Sequence, residues 1–217
     1  PVRVSTYTLT LANLATKNQK VKMNRIQEYI SHLQQVLNRL SVTDIRSSID
    51  LIMAAYHNDQ QIFVVGNGGS ASTASHVGCD LGKGTVTVPG GGTVPGLKRF
   101  RVISLTDNVA TMTAWANDTD YDDIFVEQLK NLVNPGDLLL GISVSGNSEN
   151  VVRAMRYAKS TGCQLIAWTG TSGGKMADLA DVSVRAESDR YGPVEDVHLI
   201  LNHILHTWIS AELQPES

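Results

Sequence analysis

The chain has 217 residues, of which 42% are hydrophobic and 18% charged, and its formal net charge is −3. A domain of this size buries roughly 70% of its unfolded surface, so it needs no disulfide or metal staple. The mildly acidic balance argues against a dedicated nucleic-acid binder, which usually carries a basic face. A small anionic ligand remains compatible with it, because loop amides and helix N-termini bind phosphate without net positive charge.

Cysteine usage and hydropathy bear on the compartment. Cys79 and Cys163 are far apart and neither belongs to a CxxC pair, so we expect no disulfide scaffold and no thiolate zinc site. We also expect no membrane partner, since no apolar run reaches spanning length and no signal peptide is recognisable. These features favour a reducing, cytoplasmic setting.

The N-terminal part divides into an extension and two helices. Residues 1–22 lack a clear period and are set apart as an added or disordered tail, or a functional arm, before a domain at 23–217. Apolar side chains then recur at helical spacing as far as Leu40. Ser41 and Asp44 fit a capping box that opens a second helix. We interpret both helices as core helices, the alternative being a role in oligomerisation.

A strand-and-helix repeat follows. Short apolar runs predict strands at residues 62–65, 101–105, 137–142, 164–169 and 182–184, with helices between them and a last helix over 194–213. This alternation predicts an α/β fold, a three-layer sandwich with a central five-stranded parallel sheet of the flavodoxin-like kind and a helical N-terminal extension. Right-handed crossovers place every strand-to-helix loop at one sheet edge, where such folds bind ligands.

The loop after the third strand, SVSGNS, carries hydroxyls at Ser143, Ser145 and Ser148 just before a helix. A helix N-terminus attracts anions, and serine hydroxyls add donors for phosphate oxygens. A single serine there would indicate only an N-cap. Three hydroxyls around one glycine favour a phosphate site.

Two glycine-rich segments lie earlier in the chain. GNGGS, residues 66–70, permits close approach of backbone to a ligand, but it matches neither the P-loop nor the dinucleotide fingerprint. Residues 85–97 are rich in glycine and proline and predict a mobile loop, either variable surface or a lid.

Histidine and carboxylate pairs occur on two predicted helices. His76 and Asp80 are four residues apart, and Glu195 and His203 are eight apart, so each pair shares a helix face. Such pairs serve as metal ligands or as acid and base, although a surface ion pair has the same spacing. His198 and His206, also on the last helix, are both interpreted as packing or exposed residues.

Six segments carry a resemblance to known proteins, in this order: GNGGSASTASH, SLTDN, AWANDTDYDDIF, NPGDLLLGISVSGNSENVV, WTGTSGGKMADLADVSV and EDVHLILNH. Through them the chain resembles proteins of the sugar isomerase (SIS) domain family, and within it the phosphoheptose isomerases. The resemblance covers nearly everything beyond the N-terminal extension. It implies aldose–ketose isomerisation of sedoheptulose 7-phosphate to a heptose 7-phosphate through an enediol, for nucleotide-activated heptose synthesis.

The resemblance also implies roles for individual residues. Asp80 takes the place of the general base and His203 that of the acid. A zinc or other divalent ion, one per active site, is implied on His76, Asp80, Glu195 and His203. The substrate-binding positions are Asn67, Gly68, Gly69, Ser70, Asp80, Asn117, Asp118, Ser143, Val144, Ser145, Ser148 and Glu195. A homotetramer with sites shared between subunits is implied too, so that the helices of His76 and His203 could meet across an interface.

Three positions depart from the family pattern. Asp80 stands where a glutamate is usual, Glu195 where a glutamine is usual, and Val144 lacks a hydroxyl that the family often carries. A base shortened by one methylene can be displaced by about 1 Å, which can cost roughly 100-fold in rate. An extra carboxylate strengthens cation binding or raises the pKa of a neighbouring acid.

These departures leave two alternatives open beside the isomerase of sedoheptulose 7-phosphate. One is an isomerase of another sugar phosphate in a nucleotide-sugar pathway. The other is a non-catalytic SIS-domain adaptor or regulator that binds a phosphosugar or a protein partner. Retention of an acid at Asp80 favours an enzyme over an adaptor.

Overall fold

The computed structural model describes residues 24–88 and 90–214 of the chain. In chain order, its strands are β1 Gln61–Gly66, β2 Arg101–Ser104, β3 Leu138–Ser143, β4 Gln164–Gly170 and β5 Val182–Ala186. Its helices are α1 24–38, α2 Val42–His57, α3 Gly69–Gly82, α4 Val109–Asp118, α5 Val126–Leu132, α6 Glu149–Ser160, α7 Gly174–Leu179 and α8 Tyr191–Leu213. The predicted extension, residues 1–22, lies outside the described residues. None of the helices in the described ranges is long and apolar enough to cross a bilayer.

The five strands form one parallel sheet in the order β2-β1-β3-β4-β5. The predicted fold class is therefore confirmed. The order changes direction between β1 and β3, and an α/β sheet binds its ligands at such a switch point. Gly66 at the end of β1 is in register with Ile142 of β3. The GNGGS loop and the serine loop are consequently neighbours at the carboxyl edge of the sheet.

Two apolar layers enclose the sheet because its central strands carry almost no polar side chains. Ile62 and Val64 of β1 pack with α2, α3 and α8, whereas Phe63 and Val65 pack with α5 and α6. The exposed fraction of Phe63 is 0%. Burial on both faces is what turns these runs into continuous rather than alternating apolar segments.

The beginning of α2 follows the predicted cap. The Ser41 hydroxyl accepts a hydrogen bond of 3.2 Å from the amide of Asp44. Helix α5, in contrast, was not predicted. It spans seven residues, and the buried Gln128 interrupts its apolar pattern. That side chain is satisfied by donating to the carbonyls of Leu105 and Ile124, which only the fold brings within reach.

The loop at residues 85–97 begins beyond the C-terminal end of α3. A bridge between Thr87 and Thr93 closes it, and the Gln214 amide donates to the carbonyls of Thr85 and Thr87. Since α3 begins at the carboxyl edge of the sheet and runs back along β1, its far end lies at the opposite edge from the serine loop. The loop is therefore not a lid over the serine loop of its own chain.

Candidate active site

The serine loop joins β3 to α6 with its hydroxyls directed toward one another. The Ser143 oxygen lies 3.0 Å from that of Ser148 and 3.4 Å from that of Ser145. Ser148 occupies the N-cap position of α6, yet its side chain makes no capping hydrogen bond. Capping therefore does not account for this serine. Its hydroxyl is instead available to an anion at the positive end of the helix.

Close backbone packing supports the loop from behind. Gly146 has a φ of 64°, and a Cβ atom there would lie 2.0 Å from the carbonyl oxygen of Gly173. The amide of Lys175 donates to the Asn147 side chain at 3.1 Å. The amide of Met176 donates to the carbonyl of Gly146 at 3.0 Å. The β4–α7 turn thus fixes the position of the serine loop.

A pair of asparagines connects the GNGGS loop to α6. Asn67 and Asn150 exchange side-chain hydrogen bonds of 2.8 and 2.9 Å, and Asn150 is 1% exposed. The hydroxyl of Tyr121 donates to the Asn67 oxygen at 3.1 Å. This network holds the Asn67 amide at the rim of the serine loop.

Together these elements enclose a pocket of about 120 Å³. It is lined by Asn67, Ser70, Ile142, Ser143, Val144, Ser145, Ser148, Tyr191 and Glu195. Its polar lining groups are hydroxyls, the Asn67 amide and the Glu195 carboxylate, beside the apolar Ile142 and Val144 and without a basic side chain. This composition suits a ligand whose anionic group is bound through hydrogen bonds and is attached to a chain of carbons that carry hydroxyl groups.

A second polar cluster lies farther along α3 and α8. The ligand atoms of His76, Asp80 and His203 all lie within 4.8 Å of one another. His76 Nε2 is 3.3 Å from Asp80 Oδ2, and the two imidazole centroids are 5.1 Å apart. The helices of His76 and His203 thus meet within one chain, so the cluster needs no subunit interface to bring them together.

Glu195 lies outside this cluster. It precedes His203 by eight residues of one helix, a rise of about 12 Å. Its carboxylate lies instead against Gly69, where a Cβ atom would be 2.6 Å from Oε1. Within one chain, the predicted four-residue metal set is therefore a set of three.

Asn117 and Asp118, two further predicted substrate residues, end α4 and are exposed. The Asn117 amide donates to the Asp118 carboxylate at 2.8 Å. Neither lines the serine-loop pocket. The segment that follows them does reach the pocket, through the bond from Tyr121 to Asn67.

Comparison with known proteins agrees with this geometry. The family model of the SIS domain matches residues 27–170. A phosphoheptose isomerase from Aliarcobacter butzleri is 33% identical over 190 residues, which is 87% of this chain and 96% of that protein. The chain belongs to the SIS domain family, in its phosphoheptose isomerase branch.

Other members of the branch are similar over the same length. A phosphoheptose isomerase from Helicobacter pylori strain P12 is 33% identical and covers 82% of this chain and 90% of its own. The solved phosphoheptose isomerase of Francisella tularensis aligns with a TM-score of 0.78 at 28% identity, over 88% of this chain and 98% of that one. The solved phosphoheptose isomerase of Neisseria gonorrhoeae aligns with a TM-score of 0.77 at 28% identity, over 89% of this chain and 98% of that one. The predicted resemblance is confirmed.

The last helix of this family member also carries buried polar residues. His198 is fully buried, and its Nε2 lies 3.4 Å from the carbonyl oxygen of Thr169. Desolvation lowers its pKa to about 4, against a smaller raising effect of that carbonyl. The residue is neutral at pH 7, and of the two predicted interpretations, packing or exposed, its burial agrees with packing. His206 contacts Gly84 rather than the cluster.

Sequence reasoning missed four residues that contact the candidate site: Tyr121, Asn150, Tyr191 and Asn202. For Asn202 a signal was present, since it and His198 are the polar residues among the mostly apolar ones on the buried face of the last helix. A buried amide on such a face needs a partner. Its partner is the Asp80 carboxylate, to which it donates at 2.7 Å.

Proposed function

We propose that the protein is an isomerase that converts sedoheptulose 7-phosphate to D-glycero-D-manno-heptose 7-phosphate. Four phosphoheptose isomerases described above align with almost the whole chain. The observation that carries the proposal is the combination of an uncapped Ser148 hydroxyl in a phosphate-type loop with a carboxylate and two imidazoles in one cluster.

Asp80 and His203 would divide the proton transfers. The Asp80 carboxylate would take a proton from C1 of the ketose, which gives an enediol. It would then return the proton to C2, which gives the aldose. His203 would carry the proton of the carbonyl and hydroxyl oxygens. An acid and a base so close to each other can act on adjacent atoms of one substrate. The serine loop would hold the phosphate and set the sugar's register.

The cluster also fits a divalent metal ion, for which zinc is our proposal. Two imidazoles and one carboxylate are a common catalytic zinc set, and the ligands of a tetrahedral zinc site are about 3.3 Å apart. The 3.3 Å separation of His76 Nε2 and Asp80 Oδ2 agrees with that value. When bound, the ion would polarise the substrate oxygens and stabilise negative charge that develops on them.

A homotetramer is part of the proposal. On α8, an open and mostly apolar groove is formed by Ile200, His203, Ile204, Thr207, Trp208 and Ala211. The exposed fraction of Ile204 is 39%. A second copy seated here would cover these side chains and could present its own Glu195 to the cluster. Light scattering should give a tetramer for the native chain and a smaller species for Ile204→Glu.

The cytoplasmic location also stays a prediction. Cys79 and Cys163 are both unpaired, which agrees with a reducing compartment.

Turnover of sedoheptulose 7-phosphate, followed by NMR, tests the proposed activity. We expect a heptose 7-phosphate aldose to form, activity to fall on chelation, and zinc to restore it. Asp80→Ala and His203→Ala should each abolish turnover. His206→Ala is the matched control, because it removes an imidazole three residues farther along α8 and outside the cluster. Binding of the sugar phosphate without any turnover would favour the adaptor, and turnover of a different sugar phosphate would favour the second isomerase.

A further inference from the structure

Asn202 lies on α8 immediately before His203, with 2% of its surface exposed. Leu201 and Leu205 beside it on the same helix are buried and apolar, and His198, one turn earlier, is buried as well. Burial of an amide that has no partner costs about 1–3 kcal/mol. Its place on this face therefore calls for a specific partner.

That partner is Asp80, the acid of the cluster. The Asn202 amide donates to Asp80 Oδ2 at 2.7 Å, and the same oxygen faces His76 Nε2 at 3.3 Å. Among the described residues, no hydrogen bond is made to Asp80 Oδ1. One carboxylate oxygen is thus fixed on two sides, while the other is left for a reacting proton.

We propose that Asn202 is the positioning residue of the Asp80 carboxylate. Its amide holds that carboxylate, which an aspartate carries close to α3, at one place and in one rotation. The inference rests on the proposed function, because it assigns Asp80 as base and cation ligand. Groups that orient a metal-binding carboxylate typically change metal affinity or activity by 10–100-fold.

The first test is Asn202→Leu, which has nearly the same shape but no donor. We expect kcat to fall 10–100-fold and KM for the sugar phosphate to change less than about threefold, since the phosphate pocket is untouched. The affinity of the metal-free protein for Co²⁺, measured by calorimetry and by its visible absorption, should fall by a similar factor. The control is Gln128→Leu, which also removes a buried amide but in α5, on the other face of the sheet. It should lower Tm without changing kcat or Co²⁺ affinity.

A paired exchange guards against a simple loss of folding. Asp80→Glu alone should be poorly active, because the longer acid would collide with the Asn202 amide. Asp80→Glu combined with Asn202→Ala should recover at least tenfold in kcat over Asp80→Glu, because the smaller side chain at position 202 leaves room for the longer acid. A role in packing alone predicts additive losses instead.

The outcomes separate the two proposals. If the native protein binds Co²⁺ but isomerises no sugar phosphate, the proposed function fails, while a weaker Co²⁺ affinity of Asn202→Leu still supports the positioning role. If the native protein is active and Asn202→Leu retains its kcat and Co²⁺ affinity, the positioning role is wrong. If the native protein neither binds Co²⁺ nor isomerises a sugar phosphate, both proposals are overturned.

Discussion

The carboxylate of Glu195 lies so close to the backbone of Gly69 that a methyl group on Gly69 would be 2.6 Å from its Oε1. Gly69 is the first residue of α3 and belongs to the GNGGS loop. The glycine therefore has a steric function here, since it lets an acid on α8 approach the N-terminus of a neighbouring helix. That end of a helix stabilises a negative charge.

Gly69→Ala should displace the flexible end of Glu195 and lower kcat/KM at least tenfold, with little change in Tm because the carboxylate can move away. Gly69→Ala combined with Glu195→Ala should be no less active than Glu195→Ala alone, because the displaced carboxylate is already gone. Gly78→Ala is the control in the same helix: its Cβ atom would be 3.8 Å from its nearest neighbour. It should keep full activity and gain up to about 1 kcal/mol from helix propensity. Equal losses in the two glycine variants would contradict the steric account.

The serines that begin α2 and α6 have different roles, which gives a paired prediction. Ser148→Ala should raise KM for the sugar phosphate 10–100-fold, because hydrogen bonds to charged groups contribute about 1.5–3 kcal/mol. Its free energy of unfolding should change by less than about 0.5 kcal/mol, as Ser148 makes no cap. Ser41→Ala should do the reverse, losing about 1 kcal/mol of stability with an unchanged KM. Urea unfolding and steady-state kinetics on both variants decide the matter.

The sheet and the two glycine- and serine-rich loops were predictable because they depend on local patterns. Apolar runs such as residues 62–65 fix which segments are buried strands, and the crossover rule then brings the loops together. The position of Glu195 was not predictable in this way. The spacing of eight residues predicts that Glu195 and His203 lie on the same face of the helix. The rise along α8 nevertheless separates them by about 12 Å.

Long-range side-chain partners could not be predicted for a different reason. Asn202 and Asp80 are 122 positions apart, and Tyr121 reaches Asn67 across 54. Helical spacing and turn chemistry describe neighbours in the chain, whereas these contacts follow from how α3, α8 and α6 pack. A buried polar residue indicates that a partner exists but not which residue it is.

His198 makes stability depend on pH. Its pKa is about 4 in the folded chain and 6.5 for an unperturbed histidine, so the unfolded chain binds more protons between these values. The contribution of His198 to the free energy of unfolding is therefore fully present above about pH 6.5. It is lost as the pH falls toward 4, and amounts to on the order of 3 kcal/mol. In His198→Leu the slope of unfolding free energy against pH should flatten over this window. His57→Leu, at the exposed end of α2, is the control and should keep the slope.

The contact between the serine loop and the β4–α7 turn gives a last prediction. Gly146→Ala would place a Cβ atom 2.0 Å from the Gly173 carbonyl oxygen at a φ of 64°. Gly162→Ala is the matched control, since its φ is 86° but its Cβ atom would meet nothing closer than 3.9 Å. Both variants should lose the roughly 1–2 kcal/mol that a left-handed alanine costs. Only Gly146→Ala should lose more than this in urea unfolding and also raise KM for the sugar phosphate, because relief of the overlap moves the serine hydroxyls apart. If the two variants lose the same stability and keep the same KM, the turn does not support the loop.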